Sequence, residues 1–323
     1  MKTLNPGDSI GIVSISNQID PEKLDSYGFL TFQRILEKHL GVNIKIGKNI
    51  LRGVEGVKPE KRAEDINRFI ADPDIKMIWP IGGGAFSNEI LPYIDWDGIK
   101  EDNKIICGYS DINALNNALY AKTGIPSFSG PTPGNFSLFR YGSLETFLYF
   151  YEMVVDGKEV DLSFHDFYFD FSVNQEENPW QIINDGGLKI VNKGKSTGTI
   201  VGGNISTFSL LIGTEFMPDL EGKVLFLEEC PEENIGSIRR MLIQLKNQPK
   251  FDKIAGVVFG RINQACMYGY DITWEGTVND FARDLNVPVV MNAQFGHISP
   301  IQTFPIGGKI DIDTKKGIYK MSV

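Results

Sequence analysis

Along the first half of the chain, short apolar runs alternate with longer segments whose apolar positions recur every three or four residues. Ser9–Ser16 (SIGIVSIS) reads as a buried strand, and Asp20–Leu40 as a helix with Pro21 at its start. Val42–Ile46 is a second short strand. Lys58–Ala71 is predicted helical, with Pro59 near its start and Ala63, Ile66, Phe69 and Ile70 on one face. Further strands are expected at Ile75–Ile81, Lys104–Cys107 and Ile125–Phe128, and helices at Asn88–Tyr93, Asp111–Thr123 and Leu144–Val155. Strands alternating with helices at this spacing imply a parallel sheet covered on both faces.

The texture changes near Gly157. From there to about Gly194 the chain is acidic, aromatic and irregular, and reads as a hairpin-like connection. Beyond it, strands are expected at Lys195–Val201, Lys223–Leu227, Ile254–Phe259 and Val287–Met291. Helices are expected at Thr207–Ile212, Ser237–Leu245 and Thr277–Leu285, with a Gly-Gly-Asn turn at 202–204 and a closing antiparallel hairpin. The expected fold is therefore α/β: an N-terminal parallel sheet flanked by helices (1–160), a connection (161–194), and a smaller mixed α/β C-terminal domain (195–323).

A chain of 323 residues with 42% hydrophobic content can bury a sizeable core without disulfides or metals. The balance of 32 basic against 41 acidic residues, net −9, argues against nucleic acid or an anionic membrane as partner. Cys107, Cys230 and Cys266 lack metal-site spacing and read as buried free thiols. With neither a signal-like start nor a membrane-length apolar run, the expected location is a reducing cytoplasm.

Four constellations bear on chemistry. Gly108-Tyr109-Ser110-Asp111 lies between a strand and a helix, where a serine hydroxyl stands out at the carboxyl edge of a parallel sheet. A helix N-cap explains the same residues. Gly82-Gly83-Gly84 sits at a second junction on the same edge, where backbone amides can face an oxyanion or simply form a tight turn. Of the three histidines, His39 reads as a surface or capping residue and His165 as a structural neighbour of the aromatic connection. His297, after Gly296 in a loop beyond a strand, is the one placed to be a general base, or a loop histidine bonded to backbone. Glu228 and Glu229 end a buried strand, where a carboxylate can orient an imidazole or begin a solvated loop. No cluster has metal-ligand spacing, and a serine mechanism requires no cofactor.

Together these pieces resemble the LD-carboxypeptidase family of serine peptidases and, within it, the microcin C immunity peptidase branch. The stretches IGGGAFSNEILPYIDWDGIK, IICGYSDINALNNALYAKTG, GTIVGGNISTFSLLIGTEFMPDLEGKVLFLEE, FDKIAGVVFGR and QFGHISPIQTFPIGGKIDID carry the likeness, which runs from about Gly11 to Asp313. The resemblance implies a triad of Ser110, Glu228 and His297, with Glu229 as the alternative acid. It implies an oxyanion hole built from the amide of Asp111 and one from Gly83 or Gly84.

The family's other branch usually carries Arg-Gly-Gly-Tyr-Gly in the glycine loop, where this chain has Ile81-Gly82-Gly83-Gly84-Ala85, and often a histidine where Asn116 stands. Both departures look like the immunity branch, which hydrolyses an amide joining a peptide or aspartyl group to a nucleotide. An aromatic stacked on the base then falls to Trp180, and Asn204 with Arg239 or Arg240 is a candidate for polar substrate contacts. The expected partner is a small peptide or peptidyl-nucleotide, and the resemblance suggests a homodimer. Release of a terminal D-amino acid from a murein tetrapeptide, and a non-catalytic binder, are the competing readings.

Overall fold

The computed structural model describes residues 4–16, 27–50, 57–136, 142–170 and 181–323, with only the backbone of 27–29. The first sheet is formed by β1 (Ser9–Val13), β2 (Asn43–Ile46), β3 (Ile75–Pro80) and β4 (Ile105–Ile106), in the order β2-β1-β3-β4 and all parallel. Apolar runs such as Ile75–Pro80 can continue because both faces are covered. The helix Pro59–Ala71 lays Ala63, Ile66, Phe69 and Ile70 inward, as its spacing predicts. Leu36–Leu40 ends the described part of the first helix as a single π turn closed by Gly41. The expected helical residues before Tyr27 lie outside the described residues.

The strand expected at Ile125–Phe128 forms as β5 (Ser127–Ser129), but outside the parallel sheet. It pairs antiparallel with a segment near the C-terminus, Phe304–Ile306, and joins β4 only through a bridge between Cys107 and Phe128. The helix expected at Leu144–Val155 is α-helical over Ser143–Phe150 and then widens to a π turn.

Between 157 and 194 the described chain forms β6 (Val160–Asp161), β7 (Phe167–Asp170), β8 (Gln181–Asn184) and β9 (Lys189–Asn192). β7 and β8 pair with each other, whereas β6 and β9 close the two edges of the second sheet. That sheet contains β10 (Lys195–Asn204), β11 (Lys223–Glu228), β12 (Gly256–Gly260) and β13 (Val289–Ala293), then β15 (Lys309–Asp313) and β16 (Ile318–Ser322); β14 is Phe304–Ile306. Its order is β6-β16-β15-β10-β11-β12-β13-β9, parallel from β10 to β13 and antiparallel outside.

The Gly-Gly-Asn turn expected at 202–204 is instead the end of β10, and the helix after it runs Ile205–Ser209 rather than from Thr207 to Ile212. Both corrections have one cause. Gly203, at φ +115, lies so close to the helix Asn113–Thr123 that a Cβ would come within 2.4 Å of the Asn113 side chain. Asn117 donates to the carbonyl of Gly202 (2.7 Å) and accepts from its amide (2.9 Å), and Asn113 accepts from Asn204 N (3.1 Å). Beneath these bonds Leu115 and Leu119 share a buried cluster with Val201, Ile205 and Leu225. The helix that follows Ser110 is thereby pressed onto the second sheet.

Candidate active site

Ser110 stands at the turn between β4 and the helix Asn113–Thr123, in a short 3-10 segment Ser110–Ile112. Its φ of +61 is a left-handed angle that a serine adopts only under constraint. The constraint is visible around it. Gly108 N donates to Phe128 O at 3.0 Å, and buried Asn116 donates to the carbonyls of both Gly108 and Phe128. The buried Asp111 carboxylate accepts from the amides of Phe86 (2.9 Å) and Ser87 (2.8 Å) and from the Ser16 hydroxyl. Asp111 thus ties the Ser110 turn to the loop that leaves β3. Arg62, buried at 1% exposure, ties the segment after β1 to the same loop and the short helix beyond it, donating to the carbonyls of Ile15 and Phe86 and to the carboxylate of Glu89.

Gly83 faces the serine. A Cβ there would lie 3.0 Å from Ser110 Cβ, 3.1 Å from its Oγ and 3.6 Å from Asp111 N. Only a residue without a side chain leaves room for a substrate atom at this point.

The two glutamates at the end of β11 part company, as successive residues of an extended segment do. Glu228, buried, places Oε2 2.8 Å from His297 Nδ1; the ring's Nε2 lies 2.9 Å from Ser110 Oγ. Glu229 turns inward to Asn204 Nδ2 (2.6 Å), Ser206 N (2.8 Å) and Cys230 N (2.8 Å). Burial, then the neighbouring Glu228 charge, push the Glu229 carboxyl up to about 7 despite those donors. Burial is the largest influence on His297 and lowers its pKa. The charge and hydrogen bond of Glu228, aided by Glu229 and Glu232, outweigh it and leave the imidazole above its ordinary value. The histidine's backbone is held as well, since Asn263 donates to its carbonyl at 2.8 Å.

Ser110, His297, Gly83 and Gly84 open on a cavity of about 280 Å³, shared with Tyr109, Thr132 and Glu232. These last three were not singled out from sequence. Tyr109 adjoins the serine, and Glu232 follows Glu228 by one turn of chain, but only the fold shows that they face the same space.

The remaining candidates lie elsewhere. Asn204 is buried and caps the helix Ile205–Ser209 through Thr207 N (3.0 Å) while bonding Glu229, so its carboxamide faces the interior. Arg239 pairs with Asp280 at 3.0 Å and lines a separate surface hollow with Leu242 and Lys246. Arg240 is an exposed residue of the same helix. Trp180 lies outside the described residues. His165 bonds Tyr149 Oη at 3.0 Å within the aromatic connection, and the three cysteines are free and buried. Among the described residues no group of three or more His, Cys, Asp and Glu could hold a metal ion, and no helix is long and apolar enough to cross a membrane.

The two sheets meet where a serine, a histidine and a glutamate are joined by hydrogen bonds. Comparison with known proteins names the class. The chain belongs to the LD-carboxypeptidase family: the model of the family's N-terminal domain matches residues 10–130, and that of its C-terminal domain residues 197–312.

It is 30% identical to the Microcin C7 self-immunity protein MccF of Escherichia coli over 266 residues, covering 79% of this chain and 76% of that one. It is 24% identical to the murein tetrapeptide carboxypeptidase of Pseudomonas aeruginosa over 279 residues, 85% of this chain and 84% of the other. Among solved structures, an MccF-like protein from Bacillus anthracis matches with a TM-score of 0.86 and 31% identity, over 99% of this chain and 98% of that one. MccF in complex with aspartyl sulfamoyl adenosine matches with a TM-score of 0.85 and 26% identity, over 99% and 97%. Carboxypeptidase and immunity relatives alike make this chain a peptidase-family hydrolase.

Proposed function

We propose that the protein is a serine amide hydrolase in which Ser110 is the nucleophile, His297 the general base and Glu228 its orienting acid. The observation that carries this reading is the unbroken line from Glu228 Oε2 through both ring nitrogens of His297 to Ser110 Oγ, at 2.8 and 2.9 Å. As Oγ attacks the amide carbon, its proton passes to Nε2, and the carboxylate stabilises the imidazolium that forms. The amides of Asp111 and of Gly83 or Gly84 receive the developing oxyanion, a contribution of roughly 3–4 kcal/mol per donor. The imidazolium then gives its proton to the departing nitrogen, leaving an acyl-serine. A water molecule, deprotonated by the same imidazole, releases the acid and restores the serine.

For the substrate we favour an aminoacyl or peptidyl group amide-linked to a nucleotide, supported by the solved MccF complex with aspartyl sulfamoyl adenosine. Cleavage of a terminal D-amino acid from a murein tetrapeptide is the second reading, supported by the murein tetrapeptide carboxypeptidase relative. Incubating the protein with each substrate decides between them, with product release followed by mass spectrometry. Turnover of the nucleotide amide is expected; turnover of the tetrapeptide alone favours the second reading. Ser110→Ala should abolish either activity while moving the melting temperature by no more than a few degrees. Residual turnover in that variant would remove Ser110 from the mechanism.

A further inference from the structure

Beyond the turn that follows β11, the chain doubles back before the helix Ile235–Lys246, whose N-cap is Asn234. This return brings Glu232 into the lining of the cavity that holds Ser110 and His297. Glu232 is exposed there, and its side chain is the only carboxylate in that lining among the described residues. No lysine or arginine accompanies it in the lining, and among the described residues it has no ion pair.

Several acidic residues elsewhere on the surface are ion-paired. Glu215 is paired with Lys122, Glu275 with Lys189 and Glu159 with Lys320. The carboxylates of Glu228 and Glu229 lie behind the histidine and add to the same field; together with Glu232 they strengthen its hold on a proton. A concave surface lined by one sign of charge concentrates field lines and raises the local concentration of the opposite charge. It also penalises a like charge brought into the same space.

We propose that Glu232 makes this cavity selective for substrates whose acyl group carries a positive charge, such as a lysyl side chain, and against acidic acyl groups. The proposal rests on the cavity being the acyl-binding site of the hydrolase described above. Glu232 shares the cavity with Ser110 and Gly83, and an ammonium on a flexible four-carbon stem is a cation suited to meet its exposed carboxylate there. An acidic side chain in the same pose would face Glu232 with Glu228 and Glu229 behind it. Leaving-group chemistry is not constrained by this contact, so the preference applies to a nucleotide amide and to a peptide amide alike.

Binding and turnover are separable, and the test uses both. Full-length Ser110→Ala is titrated by calorimetry with lysyl, leucyl and aspartyl sulfamoyl adenosine. A parallel series uses tetrapeptides whose residue before the terminal D-amino acid is lysine or Nε-acetyl-lysine. The expected result, in whichever series binds, is a preference of about ten-fold for the cationic ligand over the neutral one, with the aspartyl ligand weakest. Adding Glu232→Gln should level the preference, and Glu232→Lys should invert it.

Equal affinities, tightest binding of the aspartyl ligand, a preference that survives Glu232→Gln, or no binding in either series would each overturn the proposal. Turnover by the protein with Ser110 intact reads the other question. A charge preference in binding without any cleavage would remove the hydrolase reading and leave the selectivity standing. Cleavage without charge preference would do the reverse.

Discussion

His297 Nε2 lies 2.9 Å from Ser110 Oγ across 187 positions of sequence. The contact spans the two sheets: Ser110 follows a strand of the first, and His297 follows β13 of the second. The glutamate on the other side of the ring ends β11, two strands away from β13 in the same sheet. A shift of one sheet against the other would therefore open the serine contact and leave the glutamate contact closed.

The acidic limb of a kcat/KM profile should reflect this ring. In the proposed mechanism His297 must be neutral to act as base, and the Glu228, Glu229 and Glu232 charges hold it above its ordinary value of 6.5. Activity should accordingly rise with pH through a midpoint above 6.5. Glu228→Gln should shift that midpoint downward and lower kcat by about 10³–10⁴-fold, because the imidazolium loses its counter-charge and its tautomer is no longer enforced. A pH–rate series on both proteins checks it, and an unmoved midpoint would contradict the assignment of Glu228.

Asp111 acts at one remove. Its carboxylate fixes the amides of Phe86 and Ser87, and so sets how closely Gly83 approaches Ser110. Asp111→Ala leaves those two donors without a partner and should cost about 3 kcal/mol of stability. Asp111→Asn retains an acceptor and should fold. In that variant we expect kcat to drop about ten- to a hundred-fold with KM little changed, since oxyanion stabilisation acts in the transition state alone. Steady-state kinetics of Asp111→Asn would refute this if KM rose and kcat held.

Asn117 makes two bonds to the backbone of Gly202, one in each direction. Asn117→Ala should destabilise the protein by about 2–4 kcal/mol, because a buried amide and a buried carbonyl lose their partners together. Calorimetry should show the loss. Activity should fall with it, since the helix that Asn117 docks directly follows the turn bearing Ser110.

Glu229 predicts a pH effect on stability of definite sign. Its carboxyl is raised from 4.5 to about 7 in the folded protein, so between those values the native state keeps a proton that the unfolded chain has released. Stability therefore declines as pH rises from about 4.5 to about 7. Melting temperatures from pH 5 to pH 8 should show the decline in wild type and a flatter curve for Glu229→Gln. A curve of unchanged slope in the variant would assign the effect to other groups.

Much of this was legible along the chain, because its signals are local. The alternation of apolar runs with helical spacing placed most elements to within a few residues. Ser110, the glycine loop, Glu228 with Glu229, and His297 each stood at the end of a strand. A strand end at the carboxyl edge of a parallel sheet is a position that sequence periodicity can locate. What misled the reading was local chemistry overridden by packing. Gly202-Gly203 looks like a turn, yet those residues have no side chains because Asn113 and Asn117 dock against the strand there. Asn204, a candidate for polar substrate contacts, caps a helix and bonds Glu229, partners that only the fold supplies.

The sequence by itself determined the α/β class and the scarcity of histidines, three in the whole chain. Only the tertiary structure decided which glutamate meets His297. It also decided that β5 leaves the parallel sheet to pair with β14, and that Glu232 lines the same cavity as Ser110. The physical reason is range. Backbone preferences and hydrophobic periodicity are set by neighbours a few residues away, whereas hydrogen bonds and charge contacts depend on which distant segments pack together. Between Ser110 and His297, that packing is the seam of two sheets held by Asn113, Asn117 and the apolar side chains beneath them.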